Sequence, residues 1–217
     1  MTDFAAARTI MVDRQVRPSD VTSFPIIDAM LRIPRERFAP PGQQNVAYAE
    51  TPISLGAGRE MLEPRAFAKM LDGARIGPDD FVLDLAPGLG YSTAVIAAMA
   101  AAVIAVEPDE GMAASASAAV EALEIDNAMV RQGDAAAGDA EHGPFDAIFV
   151  NGGVSRIPKA LGDQLKEGGR LVAVDMSAAS GRAVVYVRVG DQLQPRRLFD
   201  AMAPVLPGFE ADEGFSF

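Results

Sequence analysis

The chain has 217 residues, of which 49% are hydrophobic and 23% charged, a composition that supports a large buried core and excludes a disordered polymer. Its 19 Lys and Arg against 30 Asp and Glu give a net charge of −11, which excludes a broad phosphate-neutralising surface and makes nucleic acid an unexpected partner. With no cysteine the chain can form neither disulfides nor thiolate metal sites, and a reducing cytoplasm is the expected location.

At the N-terminus Asp3, Arg8, Arg14 and Arg17 interrupt any apolar stretch, so neither an export signal nor a membrane anchor is expected. The longest uncharged apolar run, 94–106, is 13 residues and too short to span a bilayer. Phe24, Ile27 and Leu31 recur at helical spacing after the start signal Ser19-Asp20, predicting a helix over 21–31. Pro34, Pro40, Pro41, Gly42, Pro52, Gly56 and Gly58 then punctuate a stretch expected to lie irregularly over a cofactor site. Glu63-Pro64 restarts a helix carrying Phe67, Met70 and Leu71, with proline suited to its first turn. Residues 1–75 are thus expected to form a helical and irregular cap, and 76–217 a Rossmann-like core.

In the core, strands are predicted at 81–85, 103–107, 127–131, 145–150 and 170–175, alternating with helices at 91–101, 109–123 and 155–166. Two late β-rich runs, 182–189 and 194–199, finish the sheet in antiparallel fashion. This alternation predicts a doubly wound α/β domain with a mostly parallel sheet, whose ligands sit at the carboxyl ends of the strands.

Candidate site residues fall at those ends. Phe81 to Leu85 runs into Ala86-Pro87-Gly88-Leu89-Gly90-Tyr91, a strand feeding a Gly-x-Gly turn that lets a ligand close against the backbone. Glu107 closes the next strand 17 residues after Gly90, where a carboxylate can accept from both hydroxyls of a ribose. Asp134 in Gly133-Asp134 is placed to accept from an adenine amino group, or to serve as a turn residue. A dinucleotide pyrophosphate would meet the Asp84 carboxylate, and Thr93 stands where the third glycine of that fingerprint belongs. S-adenosylmethionine has no phosphate, and its sulfonium and ammonium tolerate acidic walls. His142, the single histidine, is expected as a solvated loop residue, and no metal cluster is expected. Arg59 and Arg65 are expected to steer an anion or to pair with Glu60 and Glu63.

Over nearly its whole length the chain resembles the protein-L-isoaspartate O-methyltransferase family, among the class I S-adenosylmethionine-dependent methyltransferases. The resemblance rests on the run from Val21 to Met30, on Ile33-Pro34-Arg35-Glu36-Arg37-Phe38-Ala39-Pro40, on the glycine turn with Tyr91, on Gly133-Asp134, on the strand Phe145 to Val150, and on Leu165 to Val172. It implies a Rossmann-like, seven-stranded, mostly parallel doubly wound sheet with an N-terminal helical and irregular cap. It implies S-adenosyl-L-methionine as cofactor, held by Asp84, Ala86, Pro87, Gly88, Gly90, Tyr91, Glu107, Pro108, Asp134 and Ala135; Asn151, in Asn151-Gly152-Gly153 where the family tends to have Thr-Ala-Ala, is read as a further cofactor-binding residue, in a loop near the methionine end. It also implies a protein or peptide acceptor, methylated at the carboxyl of isoaspartyl residues, with neither nucleic acid nor membrane as partner. A carboxylate acceptor is already ionised at neutral pH, so the reaction depends on positioning more than on acid–base chemistry.

The chain departs from the family pattern at the acceptor segment. Where the family carries G-x-T-[IV]-S-x-P, this sequence reads Gly58-Arg59-Glu60-Met61-Leu62-Glu63-Pro64. Glu60 and Leu62 replace the two hydroxyl residues, and Leu62 cannot hydrogen-bond a carboxylate. Three function classes follow: a methyltransferase acting on isoaspartyl carboxylates or an altered acceptor, a non-catalytic S-adenosylmethionine-binding module, and a nicotinamide oxidoreductase, which Asp84 and Thr93 oppose.

Overall fold

A computed structural model describes residues 2–211. Residues 212–217 of the expected core lie outside the described residues. The chain opens with helix α1 (Phe4–Met11), which the sequence reading did not foresee; Asp3 caps it by accepting from Ala6 N at 3.0 Å. A π-helical turn (Val12–Val16) and a 3₁₀ turn (Arg17–Ser19) follow, ending at Asp20 with φ 65°. Helix α2 (Phe24–Arg32) therefore starts three residues later than expected, after Ser23, with Pro25 in its first turn. The proline-rich stretch is not wholly irregular: it contains a two-stranded hairpin, β1 (Ile53–Gly56) and β2 (Arg59–Met61), turning through Ala57 and Gly58, both at positive φ. Helix α3 (Pro64–Ala74) restarts at the expected proline.

The remaining strands are β3 (Phe81–Leu85), β4 (Ala102–Glu107), β5 (Ala128–Gln132), β6 (Phe145–Val154), β7 (Leu165–Asp175), β8 (Arg182–Val189) and β9 (Gln192–Asp200). They form one seven-stranded sheet in the order β5-β4-β3-β6-β7-β8-β9, parallel through β7 and antiparallel for β8 and β9. The connecting helices are α4 (Tyr91–Ala97), α5 (Glu110–Ala122) and α6 (Lys159–Asp163). Helix α6 is much shorter than the expected 155–166. Pro158 sets its start, and Leu165 is already paired with Phe145 across β6 and β7.

Alternation along the central strands divides the core into two layers. Val82, Ala147, Phe149, Val172 and Val174 face the layer built by α1 to α4, whereas Leu83, Leu85, Ile148, Val150, Leu171 and Ala173 face Leu161, Leu206 and Phe209. Both faces are covered, which is why these strands read as continuous apolar runs. The chain after β9 crosses the carboxyl end of β6 as a strap: Gly153 N donates to Pro204 O at 2.8 Å, Leu206 N to Gly153 O at 2.9 Å and Ser155 N to Phe209 O at 2.8 Å. Among the described residues no helix is long and apolar enough to cross a membrane.

Candidate functional site

The sheet reverses direction of growth at β3 and β6, which are neighbours in space but separated in sequence, and the crevice beyond their carboxyl ends is where such folds bind ligands. Asp84 and Asn151 lie toward these ends, and Glu107 ends the neighbouring strand β4. The glycine turn holds its shape through positive φ at Ala86 (55°), Gly88 (62°) and Gly90 (95°). A side chain at Gly90 would press on Ala116 of α5, and one at Gly88 would overlap Leu55 Cδ1 of the hairpin.

Asp84 is fully buried and accepts from Ser92 Oγ (2.7 Å), Thr93 Oγ1 (2.7 Å) and Asn151 Nδ2 (2.6 Å). Desolvation pushes its carboxyl up to about 6, against the pull of these three donors and with a small repulsion from Glu107. Asp84 therefore ties β3, β6 and the start of α4 around the turn; its oxygens face this chain's own donors. Asn151 is not a loop residue as expected. It lies within β6, buried, and also donates to Leu85 O at 3.0 Å; the strand continues past it because Gly153 and Val154 pair with Val174 and Asp175 of β7.

Glu107 is fully buried too. Gly88 N (2.7 Å) and Asp109 N (3.0 Å) donate to its two oxygens, and Arg59 of β2 grips the same oxygens, Nη1 at 2.9 Å and Nη2 at 3.0 Å. Arg59 Nη2 also donates to Ala86 O at 2.7 Å. Arg59 thus neither pairs with Glu60 or Glu63 nor stands free to steer an anion. The hairpin aims it inward, at the strand-end acid, where a buried carboxylate attracts it more strongly than a solvated one.

Pro87, Gly88 and Tyr91 are buried beneath the hairpin, Pro108 is half-buried, and Ala86 and Ala135 are buried behind the turn. Asp134 is exposed; its Oδ1 accepts from Ala136 N at 2.8 Å, the turn role, beside Gly208 of the strap. His142 lies in the expected loop with 33% of its side chain exposed; its Nδ1 lies 2.9 Å from Asp139 Oδ1 and 3.0 Å from Arg131 Nη1. Asp139, Glu141 and His142 could converge on a cation, but the Arg131 guanidinium already sits among them, 3.0 Å from Asp139 and 3.1 Å from Glu141.

Sequence reasoning missed Arg35. It is fully buried, stacks 4.7 Å from the Tyr91 ring, and donates to Ala47 O (2.7 Å) and Leu62 O (2.6 Å), joining the cap to the acceptor segment. Its guanidinium and the Tyr91 hydroxyl, both buried, interact with each other. Desolvation lowers the Arg35 pKa and raises that of Tyr91. An unusual buried cation has no signature in a single sequence beyond its place in the Ile33-Pro34-Arg35 run. Around it, Glu60, Met61, Leu62, Phe67, Pro87, Tyr91, Ser92 and Asn151 line a cavity of about 10 Å³. Leu62 also lines a largely apolar groove of about 460 Å³ with Pro52, Glu63, Ala66 and Met202, which reaches the surface.

The donor set fits S-adenosylmethionine in kind: a glycine turn with no side chain of its own at Gly88 and Gly90, covered in this structure by Leu55 of the hairpin, a strand-end glutamate for a ribose diol, and an acid on the next loop. The fit requires Arg59 and Leu55 to withdraw from Glu107 and Gly88. Fold and site together define a Rossmann-like class I methyltransferase. The family model for Protein-L-isoaspartate(D-aspartate) O-methyltransferase matches residues 8–197, and the chain belongs to this family. It is 36% identical over 217 residues to the protein-L-isoaspartate O-methyltransferase of Koribacter versatilis, covering 100% of this chain and 96% of that one. To the Gloeobacter violaceus enzyme of the same name it is 37% identical over 190 residues, 87% of this chain and 93% of that one. Among solved structures, a protein-L-isoaspartate O-methyltransferase superposes with a TM-score of 0.81 at 24% identity, covering 94% of this chain and 66% of that one. A Plasmodium falciparum putative protein-L-isoaspartate O-methyltransferase, in complex with S-adenosyl-L-homocysteine, superposes with a TM-score of 0.79 at 20% identity, over 96% of this chain and 100% of that one. These two likenesses support the fold.

Proposed function

We propose that this chain is an S-adenosyl-L-methionine-dependent methyltransferase that methylates the carboxyl of isoaspartyl residues in proteins or peptides. The observation that carries this reading is the end-to-end likeness to enzymes of that name, 36% identity over all 217 residues, joined to a glycine turn set between strand-end acids. No comparison favours the non-catalytic module or the nicotinamide enzyme.

The cofactor supplies an electrophilic methyl group on a sulfonium. The backbone of 86–90 forms the floor of its site, Glu107 takes the ribose hydroxyls, and Asp134 and Ala135 border the adenine. Asn151 and the Asp84 cluster hold the turn rigid, which is what an in-line transfer between fixed partners requires. Residues 2–75 act as a cap over the core 76–211, and the groove beside Leu62 is the acceptor's approach. The Leu62 side chain excludes water there but offers an acceptor carboxylate no hydrogen bond; backbone donors must orient it instead. A cytoplasmic location suits a cysteine-free chain with this substrate class.

The test is methyl incorporation into an isoaspartyl peptide, with the ordinary aspartyl peptide as control. Incorporation into the first alone is expected from the wild type. A Glu60→Thr, Leu62→Ser double substitution should raise the rate by lowering KM. Turnover by the double variant alone would overturn the proposed substrate for this chain.

A further inference from the structure

We propose that Arg59 is an internal competitor for the cofactor's ribose, and that the β1–β2 hairpin is a latch which closes the cofactor site until the ligand displaces it. The inference rests on the cofactor named above, and it concerns how that cofactor gains entry.

Two side chains of one hairpin enter the cradle. Arg59 presents both guanidinium nitrogens to both oxygens of Glu107, and the two side chains are only 7% and 0% exposed. The opposite side of the carboxylate is already filled by Gly88 N and Asp109 N. Glu107 has two oxygens and about four acceptor positions, so backbone amides and the guanidinium fork together saturate it. A ribose diol needs the two positions that Arg59 holds. Binding of the ribose and of Arg59 is mutually exclusive.

Leu55, on the facing strand, does the same at the turn. It fills the space over Gly88 that any Cβ there would overlap, which is the space through which a ligand approaches the glycine backbone. Arg59 Nη2 also occupies Ala86 O, closing the entrance to the turn.

The hairpin is held by side chains, Ile53, Leu55 and Met61 packed on the core and Arg59 on Glu107, and by no strand pairing to the main sheet. Its strands of four and three residues pair with each other and join no larger sheet. Its tip, Gly56-Ala57-Gly58, is exposed, with open space around both glycines. An isolated hairpin of this length is marginally stable by itself. Arg59 Nε is buried without a partner, so the guanidinium is not fully satisfied where it sits. A buried ion pair yields little net stability because desolvation offsets much of the attraction, so a ligand that keeps Glu107 hydrogen-bonded and returns Arg59 to water can displace it.

Calorimetric titration of the full chain with S-adenosylhomocysteine tests the latch, with amide hydrogen exchange over residues 54–60 as a second readout. Arg59→Gln should bind about tenfold or more tightly than wild type, and Leu55→Ala, which leaves Arg59 in place, several-fold more tightly. In wild type, exchange over 54–60 should quicken on adding the ligand; in Arg59→Gln it should be fast without it. Equal affinity of all three proteins, or weaker binding by Arg59→Gln, would overturn the latch while leaving the cofactor assignment intact. If the folded wild type and both variants fail to bind, the cofactor assignment falls and the latch with it.

Discussion

Replacing Asp84 by asparagine isolates the energetic burden of a buried, hydrogen-bonded carboxylate. The exchange keeps the geometry: the amide oxygen still accepts from Asn151 Nδ2, and the amide NH₂ can donate to the hydroxyls of Ser92 and Thr93, which act as donor or acceptor. In the folded protein burial raises the Asp84 carboxyl from 3.8 to about 6. The difference of about two pH units corresponds to about 3 kcal/mol. The sign follows from which state holds the proton. Between those values the folded protein keeps it while the unfolded chain has lost it, so stability falls as pH rises and the full penalty is reached above about pH 6.5. Asp84→Asn removes this pH dependence. Urea unfolding of both proteins should show the wild type losing about 1.4 kcal/mol relative to the variant between about pH 5 and about pH 7.5. A stability difference independent of pH over that window, or a wild type that gains on the variant as pH rises, would refute the assignment of a raised pKa to Asp84.

Two further substitutions test the packing that shapes the site. In Gly153→Ala the new Cβ would lie 2.6 Å from Ala203 O and 2.9 Å from Pro204 O, backbone atoms that cannot rotate away, so the strap over β6 should detach; a loss of at least about 2 kcal/mol in urea and faster proteolysis after residue 200 are expected. Arg35→Lys keeps the charge but loses the fork that reaches Ala47 O and Leu62 O together, and should cost about 2 kcal/mol with loosened packing around Tyr91, measured by urea unfolding and near-ultraviolet dichroism.

Much of the core was legible because its signals are local. Phe81 to Leu85, Ala102 to Glu107 and Phe145 to Val150 are apolar runs bounded by turn residues, and a strand buried on both faces needs little else. The glycine turn was equally plain, since positive φ at Gly88 and Gly90 is demanded by the chain reversal itself. Helix α6 was overdrawn because the pairing of Leu165 with Phe145, which ends it, joins residues 20 apart.

The sequence alone determined the doubly wound sheet, the family, and which acids stand at the strand ends, because each depends on periodicity or on a short run of residues. Tertiary structure decided what those acids touch. Asp84 turned inward to Ser92, Thr93 and Asn151, and Glu107 met Arg59 across 48 residues of chain. A buried carboxylate takes the nearest donors that folding delivers, and that partner choice is set by the packing of the hairpin over the glycine turn, which no local pattern encodes.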